Sequence, residues 1–318
     1  MKRILVTGAL GQIGTELVAK LRETYGTMNV IATDIRACDA NVIEKKGPFE
    51  VVDVTEEAGI YYVAAKYQVD TIIHLASLLS ANAERNPRLA WNINMGGLIN
   101  TLEVARELNL KFFTPSSIGA FGPSTPKNLT PQNTFQRPTT MYGLSKVAGE
   151  LLCDYYFKRF GVDTRGLRFP GLISYIAPPG GGTTDYAVEI YYHAVKNKAY
   201  TSYIKEGTTL DMMYMPDAIN AIITLMEENP EKLLHRNAYN VSAFSAAPED
   251  FAAIIRKYIP TFKLDYQVDP TRQVIADSWP NAIDSSAAVN EWGFRVEYDL
   301  EKLTKDMLEK ITGKLGME

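Results

Sequence analysis

The passage ILVTGALGQIGTELVAKL, residues 4–21, constrains the fold more than any other part of the chain. A short β-branched apolar run stops at a loop carrying Gly8, Gly11 and Gly14. It continues with Leu17, Val18 and Leu21 at helical spacing, so the order is strand, tight loop, helix. The same alternation recurs through the first half. Strands are expected at 3–7, 29–33, 49–52, 71–75, 111–115 and 164–169, with helices at 14–24, about 91–108 and 142–160. Strands separated by helices make crossovers, and crossovers make a mainly parallel sheet covered on both faces.

After Phe169 the rhythm breaks at Pro178-Pro-Gly-Gly-Gly182, which must be irregular. Helices are expected near 185–196, 217–228 and 248–258, and from Leu300 onward. The fold class is therefore α/β, a Rossmann-like doubly wound parallel sheet with a smaller C-terminal α/β lobe. Residues 1–170 form the nucleotide domain, to which later segments return, and 171–318 form most of the lobe.

The chemistry of the glycine loop follows from its position. Gly8 and Gly11 let the backbone turn and approach a pyrophosphate, and Gly14 permits close helix packing. The N–H groups at the helix start, around Gln12 and Ile13, then face the phosphates. The second strand ends in Asp34, placed to accept both hydroxyls of an adenosine ribose. A carboxylate there repels a 2′-phosphate, so NAD is expected rather than NADP, with the neighbouring Arg36 the counter-argument. Asp53 and Val54, after the third strand, are candidates for the adenine edge, although an Asp at a strand end is equally a cap.

Tyr142 and Lys146 share one helical face. The strand before them delivers Ser116 and Ser117 to the carboxyl edge of the sheet, where ligands of such folds sit. A hydroxyl, a phenol and an ammonium beside a nicotinamide suit hydride removal from an alcohol. The lysine charge and the cationic nicotinamide together are expected to favour phenolate, and Ser117 to hold the substrate oxygen.

Other classes find little support. With 33 basic against 37 acidic residues and a net charge of −4, no field gathers nucleic acid. No apolar stretch approaches the roughly 20 residues that cross a bilayer, and the N-terminal apolar run is too short for a signal peptide. Cys38 and Cys153 make no disulfide framework, and His74, His193 and His235 are too scattered for zinc, so no metal is expected. A reducing cytoplasm is the default location.

TGxxGxxG, Asp34, HLAS at 74–77, SSIGAFG at 116–122, YxxxK and RFPGL at 168–172 together resemble the extended short-chain dehydrogenase/reductase family over nearly the whole chain. The resemblance assigns Leu75, Ala76 and Ser77 to the loop beneath the cofactor and Asn94 to the family's structural asparagine. It assigns Ser117, Tyr142 and Lys146 to the catalytic set, with Ser116 the neighbour if the register slips. Pro170 and Leu172 fall to the nicotinamide-side backbone. It also implies a homodimer paired through helices near 97–108 and 142–158.

Substrate class turns on departures from the UDP-galactose 4-epimerase pattern. At the start of the lobe, Leu210 stands where those enzymes carry a phosphate-binding arginine, and Tyr214 where they carry a histidine. Losing an arginine fork removes directed donors and a charge, which disfavours a sugar-nucleotide epimerase. Arg272 is a remaining candidate for one phosphate, or for a pair inside the protein. GPSTPKN, RPTTMYGLSK, PGGGTTDYAVEIYY, LDMMYMPDA and ADSWPNAIDSSAA instead resemble the short-chain type of L-threonine 3-dehydrogenase. That resemblance implies L-threonine as substrate and L-2-amino-3-oxobutanoate as product. It assigns pocket contacts to Ser80, Thr183, Thr184 and Trp279, the threonines doubling as helix caps. It further implies a functional link to a coenzyme A-dependent 2-amino-3-oxobutanoate ligase, and a lid at 178–184.

Overall fold

A computed structural model describes residues 1–37, 47–176 and 180–316; Cys38, Pro178 and Pro179 lie outside the described residues. In chain order the first half runs β1 (Ile4–Thr7), α1 (Gln12–Tyr25), β2 (Val30–Asp34), β3 (Phe49–Val51), α2 (Glu57–Lys66), β4 (Thr71–His74), α3 (Ser80–Arg85) and α4 (Pro87–Trp91). It continues with α5 (Gly97–Glu107), β5 (Lys111–Ser117), α6 (Met141–Phe160) and β6 (Thr164–Phe169). The second half comprises β7 (Gly171–Ile173), α7 (Tyr186–Asn197), β8 (Ala199–Ser202), β9 (Leu210–Tyr214), α8 (Met215–Glu227) and β10 (Tyr239–Asn240). It ends with β11 (Phe244–Ala246), α9 (Pro248–Tyr258), β12 (Lys263–Tyr266), α10 (Pro270–Ser278), α11 (Ser286–Trp292) and α12 (Leu300–Leu315).

Among the described residues, seven strands form the main sheet in the order β10-β6-β5-β4-β1-β2-β3, and each of these pairs is parallel. The chain winds outward from β1 in both directions, so β1 and β4 flank the switch point where such sheets open a crevice. Both faces are covered. Leu17, Val18 and Leu21 of α1 and Ile222 and Leu225 of α8 pack on one side. Ile60 of α2, Leu102 of α5 and Tyr156 of α6 pack on the other. The second half returns to this sheet through α8, α11 and the edge strand β10.

The lobe holds two small sheets, β11-β9-β7 and the parallel pair β12-β8. Its core gathers Tyr186 and Tyr191 of α7, Phe251 of α9 and Met307 of α12. Leu210 and Tyr214 belong to this core, and the Tyr214 hydroxyl donates to Asp306 at 2.6 Å. The two positions that departed from the epimerase pattern are thus interior packing. Arg272 lays its guanidinium over the Tyr203 ring at 4.1 Å.

Two expectations need correction. The helix expected over 91–108 is interrupted: Asn92–Gly96 form one π-helical turn before α5. Strand β5 extends through Ser117, so both serines belong to the strand.

Candidate active site

The glycine loop occupies the switch point. Gly8 has φ of 67°, and a Cβ there would stand 2.7 Å from the Ala76 nitrogen in the loop after β4. A Cβ on Gly14 would stand 2.4 Å from the Gly8 carbonyl oxygen. Only glycine permits the first turn of α1 to lie this close to the loop. The Gln12 side-chain nitrogen is buried with no hydrogen-bond partner among the described residues, and Gln12 lines the cleft that begins here. It is a donor awaiting an acceptor, as a phosphate would be.

Asp34 closes the far side. Its carboxylate accepts from the Leu10 amide at 3.0 Å and is forked by Arg36 Nε and an Arg36 terminal nitrogen at 2.9 and 3.2 Å. Burial works to raise its pKa, but the Arg36 and backbone hydrogen bonds outweigh it and hold the carboxyl below the usual range. Arg36 is therefore committed to Asp34, and a 2′-phosphate would meet that carboxylate. Asp53 accepts from the amide and hydroxyl of Thr55, an Asx turn rather than a helix cap, since α2 starts after Glu56; it lines the same recess as Asp34, Val54 and Ala76. This recess encloses about 840 Å³ of open space. Glycines at a helix start, a free amide donor and a strand-end carboxylate fit a dinucleotide.

Beyond the glycines the recess continues into a cleft of about 1070 Å³. Gln12, Ile13, Leu75, Ser77, Ser80, Ser117, Tyr142, Lys146, Pro170, Leu172, Thr183, Thr184 and Trp279 all line it, although they come from widely separated segments. Asn94 lines neither space. From the π-helical turn it accepts the Leu78 amide at 2.8 Å and donates to the Leu78 carbonyl and to Ser145 of α6, both at 3.2 Å. Single π turns of this kind gather at functional sites, and this one ties the loop after β4 to the helix carrying Tyr142 and Lys146.

Tyr142 opens α6, whose first turn is capped by the Thr140 hydroxyl accepting from Gly143 at 3.0 Å. Burial pushes its phenol up to about 12, opposed by a hydrogen bond with Ser117. The Lys146 ammonium lies 5.3 Å from the Tyr142 ring centroid. Lys146 is itself pushed down to about 8 by burial, with Glu150 opposing, and donates to the Pro115 carbonyl at 2.8 Å. Desolvation outweighs the pairwise field, because both groups sit out of water. The two serines differ in their partners: Ser116 donates its hydroxyl to Glu150, whereas the Ser117 oxygen accepts from the Gly119 amide at 3.1 Å and faces Tyr142.

On the lobe side, the Ser80 and Thr183 hydroxyls lie 3.5 Å apart. Neither Thr183 nor Thr184 caps α7 through its side chain; the helix begins after Asp185 without a side-chain cap. Trp279 belongs both to the lobe core and to the cleft wall. Asp185 escaped the sequence reading except as the start of a helix. Among the described residues it is the one acidic group lining the cleft, as Lys146 is the one basic group. Its carboxylate accepts from the Gly181 and Gly182 amides at 2.8 and 2.7 Å, yet burial pushes it up to about 6. Its place directly after two cleft threonines was the available signal.

The chain belongs to the NAD dependent epimerase/dehydratase family, whose pattern matches residues 4–301. Within it, this chain is similar to the L-threonine dehydrogenase of Clostridium difficile: 64% identical, TM-score 0.97, covering 99% of this chain and 98% of that one. The L-threonine dehydrogenase of Phytophthora infestans is 46% identical with TM-score 0.95, covering 98% of this chain and 100% of that one. An uncharacterised epimerase/dehydratase of Staphylococcus saprophyticus is 62% identical, covering 99% of this chain and 98% of its own length.

Proposed function

We propose that this protein is an NAD-dependent L-threonine 3-dehydrogenase. The observation that carries the reading is the convergence of Ser117, Tyr142, Lys146, Thr183, Thr184 and Trp279 on one cleft beside the glycine loop. The similarity to two solved L-threonine dehydrogenases supports it. NAD, when bound, supplies the acceptor for the hydride leaving C3 of threonine. Gly8, Gly11, Gly14 and the amides at the start of α1 hold its pyrophosphate, and Asp34 its adenosine ribose.

Ser117 holds the substrate 3-oxygen, and Tyr142 takes its proton at the phenol oxygen as the alcohol becomes a ketone. Lys146 stabilises the phenolate and holds the second ribose. Hydroxyls of Ser80 and Thr184 meet the substrate's polar groups, Asp185 faces its ammonium, and the Trp279 indole excludes water. Left to burial alone, the phenol stays protonated at neutral pH. Assembly with cofactor and substrate is what lowers it. The product is L-2-amino-3-oxobutanoate, a β-keto acid that either loses carbon dioxide or passes to a coenzyme A-dependent ligase.

None of the described helices is long and apolar enough to cross a membrane; the reading places the enzyme in the cytoplasm. Ile99 of α5 and Leu144, Leu151 and Tyr155 of α6 are exposed apolar side chains, and this face supports a homodimer. Light scattering at micromolar concentration should give twice the chain mass; a single-chain mass would remove the dimer from the reading. For the activity, NADH should form from L-threonine in the presence of a chelator, and not with Tyr142→Phe. Turnover of UDP-galactose with none of threonine would overturn the assignment in favour of an epimerase.

A further inference from the structure

Three successive contacts bolt helix α6 to the end of strand β5. Tyr142, Lys146 and Glu150 repeat every four residues along one helical face. They meet, respectively, the hydroxyl of Ser117, the carbonyl of Pro115 and the hydroxyl of Ser116. The third contact belongs to a buried ionic unit that the reaction does not itself require. The Glu150 carboxylate accepts from Arg168 Nε at 2.9 Å, from an Arg168 terminal nitrogen at 2.8 Å and from Gln136 at 2.7 Å, besides Ser116. Arg168 lies opposite Ser116 in the β5–β6 register. Its remaining nitrogen donates to the Gln132 carbonyl at 2.8 Å and to Asn240 at 3.2 Å, and its guanidinium stands over the Phe121 ring at 5.1 Å. Glu150 and Arg168 are both buried. A buried ion pair is weak evidence for stability, and its position one helical turn from Lys146 asks for another role.

We propose that Glu150 is a positioning residue for the reaction: its carboxylate, fixed by the Arg168 fork, is the counter-charge of the Lys146 ammonium and the anchor of Ser116, one residue before Ser117. The inference rests on the proposed roles of Tyr142 and Lys146. The groups facing Lys146 are few. Tyr142, Glu150 and Cys153 come from its own helix, and His74 approaches from β4. Cys153 is a buried thiol held protonated by desolvation, and His74 is a buried neutral imidazole. Among the described residues, Glu150 is left as the formal negative charge acting on the lysine. The Arg168 charge is paired with that carboxylate. Burial draws the Lys146 ammonium toward losing its proton near neutral pH, and Glu150 opposes this.

The test begins without cofactor. Competitive labelling of the NAD-free protein with acetic anhydride across pH, read on the peptide containing Lys146, gives the titration midpoint of that amine. It should lie near 8 in the parent. In Glu150→Gln the midpoint should move about 1 pH lower, a roughly tenfold rise in the ratio of neutral to charged amine at fixed pH, and Glu150→Asp should recover part of the difference. Ser116→Ala should leave the midpoint in place.

Turnover should follow the same titration. The deficit of Glu150→Gln should be small at pH 6 and widen to about tenfold at pH 9, since a midpoint about 1 pH lower leaves a tenfold smaller charged fraction there. A purely structural lesion would lower turnover by one factor at every pH. If the uncompensated Arg168 prevents Glu150→Gln from folding, the charge-neutral Glu150→Gln/Arg168→Gln protein carries the measurement. An unchanged Lys146 midpoint in either folded variant overturns the proposal. Tyr142→Phe separates this from the functional reading, because it should abolish turnover while leaving the Lys146 midpoint where it was.

Discussion

The adenosine half of the site and its reaction half are assembled from different kinds of sequence. Gly8, Gly11, Gly14 and Asp34 arrive within one strand–loop–helix–strand passage, residues 4–34. Their work is done by backbone shape, and Asp34 is already ionised and forked by Arg36. Ser117, Tyr142, Thr183 and Trp279 arrive from β5, from α6, from the loop before α7 and from the end of α10. Here side chains do the work, and burial moves their pKa values: Tyr142 up, Lys146 down, Asp185 up. A site that binds by shape tolerates changes of pH. One that moves protons has to be desolvated and is sensitive to them.

The comparison breaks most visibly at Tyr142. Tyr142→Phe should lower turnover by about a thousandfold, within the range of general base catalysis, with NAD affinity by fluorescence titration unchanged within about twofold. A parallel loss of NAD affinity would mean that the two halves are not separable. The mirror experiment is Gly14→Ala. The new methyl would lie 2.4 Å from the Gly8 carbonyl oxygen, so urea unfolding should show a loss of about 1–3 kcal/mol, as for overpacked cores. NAD should bind more weakly, while turnover at saturating NAD should remain near the parent value. A variant as stable as the parent would show that the loop has slack its geometry denies.

Within the reaction half, Asp185→Asn should raise the KM for threonine by roughly ten- to a hundredfold, the worth of one charge-assisted hydrogen bond of about 1.5–3 kcal/mol. In the parent, the KM should also climb as pH falls below about 6, because protonation removes the charge that meets the ammonium. The Asn variant should show no such climb, and an identical pH profile in both would remove Asp185 from the pocket.

The smallest effect is expected at the seam. His74 sits between Thr7 of β1 and Thr101 of α5, at 2.9 and 3.3 Å, and burial, assisted by Lys146, holds its pKa at about 3. An imidazole kept neutral in the fold contributes stability above its unfolded pKa of about 6.5 that is lost as pH falls toward 3. By pH 5.5 that loss should reach about 1 kcal/mol. Unfolding of His74→Asn, compared at pH 7.5 and 5.5, should lack that increment.

How much of this is legible in the sequence follows the same division. The glycine loop, Asp34 and the Tyr142–Lys146 pair can be read because contiguous residues specify their own local geometry, and the resemblance to relatives supplies Ser80, Thr184 and Trp279. Asp185 is signalled only by its place after Thr183 and Thr184, because its burial at the cleft depends on how distant segments pack around it. The upward push that burial gives the Tyr142 phenol cannot be read either, because a sequence displays charges but not desolvation. Helices α10 and α11 and the parallel β8–β12 pair are hidden for a related reason. Their short segments are stabilised by what they pack against rather than by periodicity of their own.

The π-helical turn at Asn92–Gly96 makes the spacing of the chain at this point exacting. Its wider turn is what lets one amide, that of Asn94, reach the Leu78 loop and Ser145 at once. Deleting a single residue there would restore regular winding and swing that amide about 100° around the helix axis. Every residue lining the cleft would remain in the chain, yet the cofactor loop and the catalytic helix would lose their shared joint. Hydrogen exchange at the Leu78 amide, protected while Asn94 accepts it, would register the separation directly.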